Sequence, residues 1–287
     1  MSDLNSSTPV YVASAFSKGN KGGNKAGVSL SGDSLSVEQK KGIATELGFS
    51  ETVFISRSVK ADFKLEYFTP NEEVPLCGHA TIAAFYILKL LNHADKSVYL
   101  IETKSGELMI KIKDDIILME QNKPQFYEEV PHSDLKDCFD IDCIDPDIPA
   151  QIVSTGLKDI LIPIRSEKLL GELKPDLQEI EEISKIYDVV GEHIYAFDKD
   201  RIICRNFAPL YDIDEEAATG TSNCALAGFM FAKLGIKRDL YVFEQGYSLN
   251  SPSEIIVDII DEQNEIKQIF VGGRTYFIEK LDMAIDK

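Results

Sequence analysis

Cys77, Gly78 and His79 occur together in the stretch PLCGHATIAAFYILKLL, where a thiol and an imidazole directly precede a long apolar segment. The segment predicts a buried helix over residues 80–92, because a helix that is apolar on all sides must be enclosed by other elements. The first turn of a helix has unpaired backbone N–H groups and a partial positive charge, and both favour anions. A glycine there lets a ligand approach the backbone closely. The spacing therefore predicts an anion-binding helix end beside two ionisable side chains.

A similar arrangement recurs half a chain length later. AAFYILKL (83–90) aligns with AGFMFAKL (227–234) at Ala, Phe, Lys and Leu. A Glu-Glu pair and a short Gly-containing loop precede each segment, so an internal duplication into two pseudo-symmetric α+β halves is favoured. The second helix end would lie at Gly220, and the two ends together would form a cleft for a carboxylate or an enolate. The spacing alone leaves open the alternative that Gly78 and Gly220 are ordinary loop glycines without a binding role.

The elements that must position these residues are short strands and few helices. SLSVEQKKGIATELG predicts an amphipathic helix, with Ser34 and Ser36 as alternative N-caps and Gly48 as its end. The residues expected to face inward are Val37, Ile43 and Ala44. Strand-like segments separated by Gly, Asn and Asp occupy most of the remaining chain.

Composition and charge exclude several classes of protein. Of the 287 residues, 44% are apolar and 27% are charged, as in folded globular proteins. The net charge of −18 would be repelled by nucleic acid and by an anionic membrane. The start MSDLNSSTPV lacks the features of a signal peptide, and five Cys without framework spacing indicate reduced thiols, so we expect a cytoplasmic protein. No metal-binding or nucleotide-binding motif is found, so no cofactor is predicted.

A set of segments in consistent order carries a family resemblance across almost the whole chain. The segments are AFSKGNKGGNKAGV, IATELGFSETVFI, YFTPNEEVPLCGHAT, CRNFAPLYDIDEEAATGTSNCALAG and FEQG. The chain resembles the PhzF-like isomerases of phenazine biosynthesis, within the diaminopimelate-epimerase fold group. The resemblance implies an α+β fold of two pseudo-symmetric domains, each a barrel-like, mostly antiparallel sheet around a central helix. We expect the domains at 1–120, joined by a C-terminal strand at 275–287, and at 121–274.

The resemblance assigns roles to residues of the first half. Glu51, in FSETVF, matches the family's catalytic acid/base, which moves a proton on the substrate's carbon skeleton without metal or coenzyme. Gly78 and His79 match the substrate-contacting Gly-His, with His79 as a catalytic donor or second proton carrier. Asn24, from the first loop, is expected to shape the substrate site. Without the resemblance, Glu51 would be an exposed residue at the start of a strand.

The resemblance also assigns roles in the second half, with one departure. Gly220, Thr221 and Ser222 match the loop whose backbone N–H groups and hydroxyl bind the substrate carboxylate. Glu216 is predicted to be catalytic, but it stands where the family pattern E-D-x-x-T-G has Asp. One extra methylene moves the carboxylate by about a bond length, and catalytic geometry is sensitive at that scale. The phenazine precursor is therefore in doubt as the substrate.

Racemases of the same fold group use two Cys, one at the start of each central helix. Cys77 matches the first, whereas the second falls at or near Ala218, which cannot take a proton. Cys224 lies further along, where a buried structural role is expected. Cys77 is thus an auxiliary group beside Glu51, or a vestige.

The sequence therefore predicts a cofactor-independent isomerase that acts on a small carboxylate-bearing metabolite in an interdomain cleft. An amino-acid racemase or epimerase that uses Cys77, and a non-catalytic small-metabolite-binding protein, stay open as alternatives. The expected partner is a small anionic metabolite, with neither nucleic acid nor membrane. A homodimer is one assembly compatible with the resemblance.

Overall fold

A computed structural model describes residues 7–285, which contain eighteen strands and five α-helices. The chain divides into one unit of Met1–Glu120 with Gly272–Lys287 and a second unit of Gln121–Val271. Among the described residues, no helix is both long enough and apolar enough to span a bilayer. The predicted α+β class is confirmed by this mixture of strands and helices.

The described residues of the first unit form two α-helices and nine strands. In chain order its elements are β1 Ser7–Ala15, β2 Asn24–Ser29, α1 Val37–Leu47, β3 Glu51–Ser56, β4 Phe63–Phe68, β5 Glu73–Val74, α2 Gly78–Leu90, β6 Val98–Thr103, β7 Gly106–Lys113 and β8 Ile116–Gln121. The last strand of the chain, β18 Thr275–Ala284, also belongs to this unit.

The second unit contains three α-helices. Its elements are β9 Gln125–Val130, β10 Ala150–Ser154, β11 Lys158–Ile164, α3 Glu167–Glu172, α4 Leu177–Tyr187, β12 Gly191–Asp198, β13 Arg201–Ala208, β14 Ile213–Glu216, α5 Gly220–Ala232, β15 Tyr241–Gln245, β16 Ser253–Glu262 and β17 Glu265–Gly273, after which β18 Thr275–Ala284 returns to the first unit.

The same order of strand pairing runs through both units. In the first, β1 is antiparallel to β18 and β2, β2 is parallel to β3, β3 is antiparallel to β4, and β4 is antiparallel to β5 and parallel to β6. In the second, β10 is antiparallel to β9 and β11, β11 is parallel to β12, β12 is antiparallel to β13, and β13 is antiparallel to β14 and parallel to β15. This repetition supports the internal duplication inferred from the sequence.

Each unit contains one helix that is buried along most of its length. In α2, the buried residues are Ala80, Thr81, Ile82, Ala83, Ala84, Phe85, Ile87 and Leu88, and the helix packs on β1, β2 and β3. In α5, every residue from Ser222 to Phe231 is buried, and the helix packs on β10, β11 and β16. The prediction of two buried helices is confirmed, and a helix enclosed by strands must be apolar on all sides.

The helix boundaries correct the sequence reading. The helices begin at Gly78 and Gly220 and have 13 residues each, so Ala83 corresponds by helix position to Ala225 and not to Ala227. Both glycines are the first residue of a helix, earlier than predicted.

In α1, Ser36 and Gly48 cap the helix as expected, with a capping box between Ser36 and Gln39. Val37, predicted to face inward, is 54% exposed, because this first residue lies on the solvent side of the capped turn.

Candidate active site

Glu51 is the first residue of β3, and its backbone pairs with Ala26 in the parallel neighbour β2. The next residues, Val53 and Phe54, are fully buried, which fixes the strand in the core. The Glu51 side chain is 21% exposed, yet its Oε2 atom is buried and has no hydrogen-bond partner. A buried carboxylate oxygen without a partner is costly, so this atom is available to a proton or a ligand.

His79 faces Glu51 from the first turn of α2. Its Nε2 lies 3.3 Å from Glu51 Oε2 and 3.4 Å from Ser50 Oγ. Burial lowers the pKa of His79, while the Glu51 charge and a hydrogen bond to the Lys25 backbone act in the opposite direction. A lowered pKa keeps the imidazole neutral at neutral pH, so it can donate through one nitrogen and accept through the other.

Cys77 is the N-cap residue of α2, and its side chain is packed against the His79 ring. Its Sγ lies 3.5 Å from His79 Nδ1 and 3.9 Å from Nε2, and the thiol is buried and not in a disulfide. The ligand atoms of Glu51, Cys77 and His79 all lie within 4.8 Å of one another. The structure thus brings together three of the predicted site residues, and this group could hold a proton or a metal ion.

Gly78 and Asn24 lie on the elements that carry this cluster. A Cβ added to Gly78 would meet only the Met119 methyl group, at 3.5 Å, so packing alone does not require glycine there. Asn24 is the first residue of β2, and the backbone of the next residue, Lys25, holds the His79 ring. The absence of a side chain at Gly78 allows a ligand to approach the backbone of the helix end closely.

The starts of α2 and α5 differ from the starts of the other three helices. Side chains of Ser36, Ser166 and Asp176 cap α1, α3 and α4 by accepting backbone N–H groups. The N-cap residues Cys77 and Thr219 make no such side-chain cap. Their first-turn N–H groups therefore keep the capacity to bind an anion.

In the second unit, Glu216 ends β14 and interacts with the start of α5. The Thr219 hydroxyl donates a 2.5 Å hydrogen bond to Glu216 Oε2. Gln245 holds the same turn, because its Nε2 donates to the Glu216 carbonyl and its Oε1 accepts from the Thr219 backbone N–H. The predicted residue Gly220 follows directly as the first residue of α5, and the carbonyl of Thr221 accepts from Thr155 Oγ1 at 3.0 Å.

Ser222 is bound to an acidic residue that the sequence analysis did not single out. Its hydroxyl donates a 2.7 Å hydrogen bond to Asp159 Oδ2, and both residues are buried. Burial raises the pKa of Asp159 to about 7, the Glu216 charge adds to the increase, and the Ser222 hydrogen bond opposes it. Asp159 lies near the start of β11 in a stretch without a recognisable motif, so no local signal could have identified it. Gln245 lies in the segment FEQG, which contributes to the family resemblance, but the sequence analysis assigns it no role.

The helix register specifies the position that the sequence analysis gives as at or near Ala218. Cys77 and Thr219 are both N-caps of 13-residue helices, so the position that corresponds to Cys77 is Thr219, not Ala218. Like alanine, threonine cannot replace a cysteine thiolate as the second base of a two-thiol mechanism. Cys224, the fifth residue of α5, is fully buried and has a raised pKa because of burial, as expected for a structural cysteine. The sequence prediction that the two helix ends serve one cleft stays a prediction.

A carboxylate and an imidazole at an uncapped helix start are groups that can transfer a proton to or from a substrate, and similar proteins define the class. The family model for phenazine biosynthesis-like proteins, PhzC-PhzF, matches residues 13–280, and the chain belongs to this family. An uncharacterized isomerase of Clostridium acetobutylicum is 31% identical over 96% of this chain and 98% of its own. The uncharacterized isomerase YddE of Escherichia coli is 30% identical over the same shares. The crystal structure of a PhzF-family phenazine biosynthesis protein of Bacillus anthracis has a TM-score of 0.85 and 25% identity, covering 98% of this chain and 100% of that one. The predicted family and the isomerase class are confirmed.

Proposed function

We propose that this isomerase moves a proton between two positions on the carbon skeleton of a small carboxylate-bearing metabolite, without a cofactor. Glu51 would remove the proton from one carbon and return it to another. The observation that carries the proposal is the buried Oε2 of Glu51, which has no hydrogen-bond partner and lies 3.3 Å from His79 Nε2 beside an uncapped helix start. A general base needs a free lone pair within reach of the substrate, and this oxygen has one.

The electron pair left on carbon must be stabilised while the proton is held by the enzyme. In the proposed reaction the C–H bond breaks, its electrons delocalise towards the substrate's electron-withdrawing carboxylate or an adjacent double bond, and a new C–H bond forms elsewhere. Backbone N–H groups at the start of α2, where Gly78 has no side chain, would bind the developing negative charge. The neutral His79 would donate a hydrogen bond or carry the second proton.

We assign carboxylate binding to the start of α5. The supporting observations are its uncapped first turn and the buried Ser222 hydroxyl. The protonation state of Asp159 affects this role. An ionised Asp159 accepts the hydrogen bond from the Ser222 hydroxyl, so that hydrogen is not available to the substrate. A protonated Asp159 can instead donate to the Ser222 oxygen, which leaves the hydroxyl hydrogen available to the substrate carboxylate. Glu216 would position the turn through Thr219 Oγ1, 2.5 Å away.

A racemase or epimerase that uses a thiol base is the second candidate. It is favoured by the place of Cys77 at the N-cap, where the helix start lowers the cost of a thiolate, and by the contact of its Sγ with the His79 ring. It is opposed by Thr219, which stands at the corresponding position of the second helix. We therefore assign Cys77 an auxiliary role.

The deciding experiment is solvent deuterium incorporation. Small carboxylates are first screened for binding by thermal shift, and those that bind are incubated with enzyme in D₂O and analysed by NMR. We expect deuterium at one or two skeletal carbons, with a double bond or substituent displaced. Inversion at a single stereocentre without displacement would establish the racemase instead. Binding without any exchange would establish a non-catalytic binding protein.

A further inference from the structure

Glu51, Cys77 and His79 provide an oxygen, a sulfur and a nitrogen that converge on one point. Nε2 of His79 is 3.3 Å from Glu51 Oε2 and 3.9 Å from Cys77 Sγ, and all three donor atoms lie within 4.8 Å of one another. Cys77 and His79 lie two positions apart at the start of α2, with Gly78 between them, and Glu51 lies on the adjacent strand β3.

These separations suit a tetrahedral metal ion. Zinc binds nitrogen and oxygen at about 2.0 Å and thiolate at about 2.3 Å, which places tetrahedral oxygen–nitrogen and nitrogen–sulfur pairs about 3.3 and 3.5 Å apart. The observed oxygen–nitrogen distance of 3.3 Å agrees, whereas the nitrogen–sulfur distance of 3.9 Å is longer than that of a tetrahedral pair, so the Cys77 thiolate would have to move towards the ion. Three protein ligands would leave the fourth position open to water or to a carboxylate.

The donor atoms also select the kind of metal. A set that contains thiolate and imidazole favours zinc and similar ions over Mg²⁺ and Ca²⁺, which prefer oxygen ligands alone. Glu51 Oε2 is buried without a hydrogen-bond partner although it is within 3.3 Å of Nε2, so a cation would satisfy both atoms. The hydrogen bond between the His79 ring and the Lys25 backbone is the type of outer contact that orients metal-binding imidazoles.

We propose that Glu51, Cys77 and His79 form an inhibitory site for Zn²⁺ in which the metal occupies the lone pairs needed for proton transfer. The inhibitory part rests on the proposed function of Glu51, whereas metal binding does not depend on it. The bound ion would hold Glu51 as a ligand, so the carboxylate could no longer accept a proton from carbon. Chelation would restore activity, and the three ligands would return to their metal-free roles.

The binding test uses Co²⁺ as a spectroscopic substitute for Zn²⁺ on the full chain after removal of metals. We expect one Co²⁺ per chain, a near-ultraviolet thiolate-to-cobalt charge-transfer band, and loss of that band on addition of Zn²⁺. Cys77→Ser should abolish the band, and Glu51→Gln and His79→Gln should each weaken binding at least ~10-fold through loss of a ligand. His93→Gln, at an exposed histidine, is the matched control and should bind as wild type. A band that persists in Cys77→Ser, or equal binding by all variants, would overturn the site.

The inhibition test is separate and uses the deuterium exchange reaction. One equivalent of Zn²⁺ should abolish exchange, and EDTA should restore it. Exchange that continues in a protein shown by cobalt displacement to hold Zn²⁺ would refute inhibition while leaving the metal site in place. If no carboxylate shows exchange at all, the proposed function fails, and the cobalt titration still decides whether the metal site exists.

Discussion

The Ser222 hydroxyl donates a 2.7 Å hydrogen bond to a buried Asp159 carboxyl group, at the start of a helix whose first turn has no side-chain cap. An acidic group therefore controls the direction of the hydroxyl that we assign to carboxylate binding. Because this acid is buried, its protonation state couples the chemistry of the site to the stability of the fold.

The first prediction concerns Asp159→Asn. The folded-state pKa of Asp159 is raised to about 7, above the ordinary value of 3.8, so the folded state holds a proton that the unfolded state has released. Its contribution to stability is therefore complete below pH ~4 and declines as pH rises towards 7, by at most ~1.4 kcal/mol per pH unit. An asparagine has no proton to lose, so the variant does not show this decline in stability. The difference in unfolding temperature between variant and wild type should therefore increase from pH ~4 to about 7 and stay constant above pH 7.

The control for this measurement is an exposed aspartate. Asp137→Asn removes the same charge on the surface, where its side chain is 64% exposed, and is measured over the same pH range. Glu192, whose pKa burial raises to about 8, is present in all three proteins, so its effect cancels in the comparison. A flat difference for Asp159→Asn would mean that the carboxyl group is ionised throughout.

The second prediction is that Glu51→Gln keeps the fold and ligand binding but lowers deuterium exchange at least ~100-fold, because an amide cannot accept the proton. Glu72→Gln changes an exposed carboxylate and should exchange at the wild-type rate. Thermal shift with the same ligand verifies binding in both variants. Near wild-type exchange by Glu51→Gln would show that another group is the base.

The third prediction is that Cys77→Ala reduces exchange far less than Glu51→Gln does, because the corresponding residue of the second helix is Thr219 and a two-thiol mechanism lacks its partner. The rate of exchange for the two variants is compared under the same conditions. Complete inactivation by Cys77→Ala, together with substrate protection of the thiol against alkylation, would favour the racemase.

The fourth prediction separates ligand space from packing by comparing two glycines. A Cβ at Gly78 would meet only the Met119 methyl group at 3.5 Å, so Gly78→Ala should unfold at or slightly above the wild-type temperature while ligand affinity falls. In Gly272→Ala, the new Cβ would lie 1.8 Å from the Ile117 carbonyl oxygen, and we expect about 1–3 kcal/mol of destabilisation. Unchanged affinity in Gly78→Ala would place the ligand elsewhere.

The fifth prediction concerns the departure at Glu216. Its Oε2 accepts a 2.5 Å hydrogen bond from Thr219 Oγ1, and a side chain shorter by one methylene cannot keep that contact without moving the turn. Glu216→Asp, which introduces the family's usual residue, should therefore lower kcat/KM for the enzyme's own substrate by about 10-fold or more. An increase in kcat/KM would mean that Glu216 is a defect rather than a specificity determinant.

Features that depend on neighbours along the chain can be predicted from the amino-acid sequence. The apolar segments after Gly78 and after Gly220 could only be enclosed helices, and Ser36 and Gly48 fixed the ends of α1 through local capping contacts. The helix starts were misplaced by a few residues, since helical propensity changes little across a boundary.

Which distant side chains meet depends on the packing of the folded chain. The contact of Glu51 with His79 follows from the packing of α2 against β3, and the burial of Asp159 beside Ser222 follows from the packing of α5 against β11. Such contacts join residues 28 and 63 positions apart, and no periodicity or spacing encodes them. A carboxyl group looks the same in a sequence whether it is solvated or enclosed, because its pKa and its partners are set by burial, and burial is a property of the assembled fold.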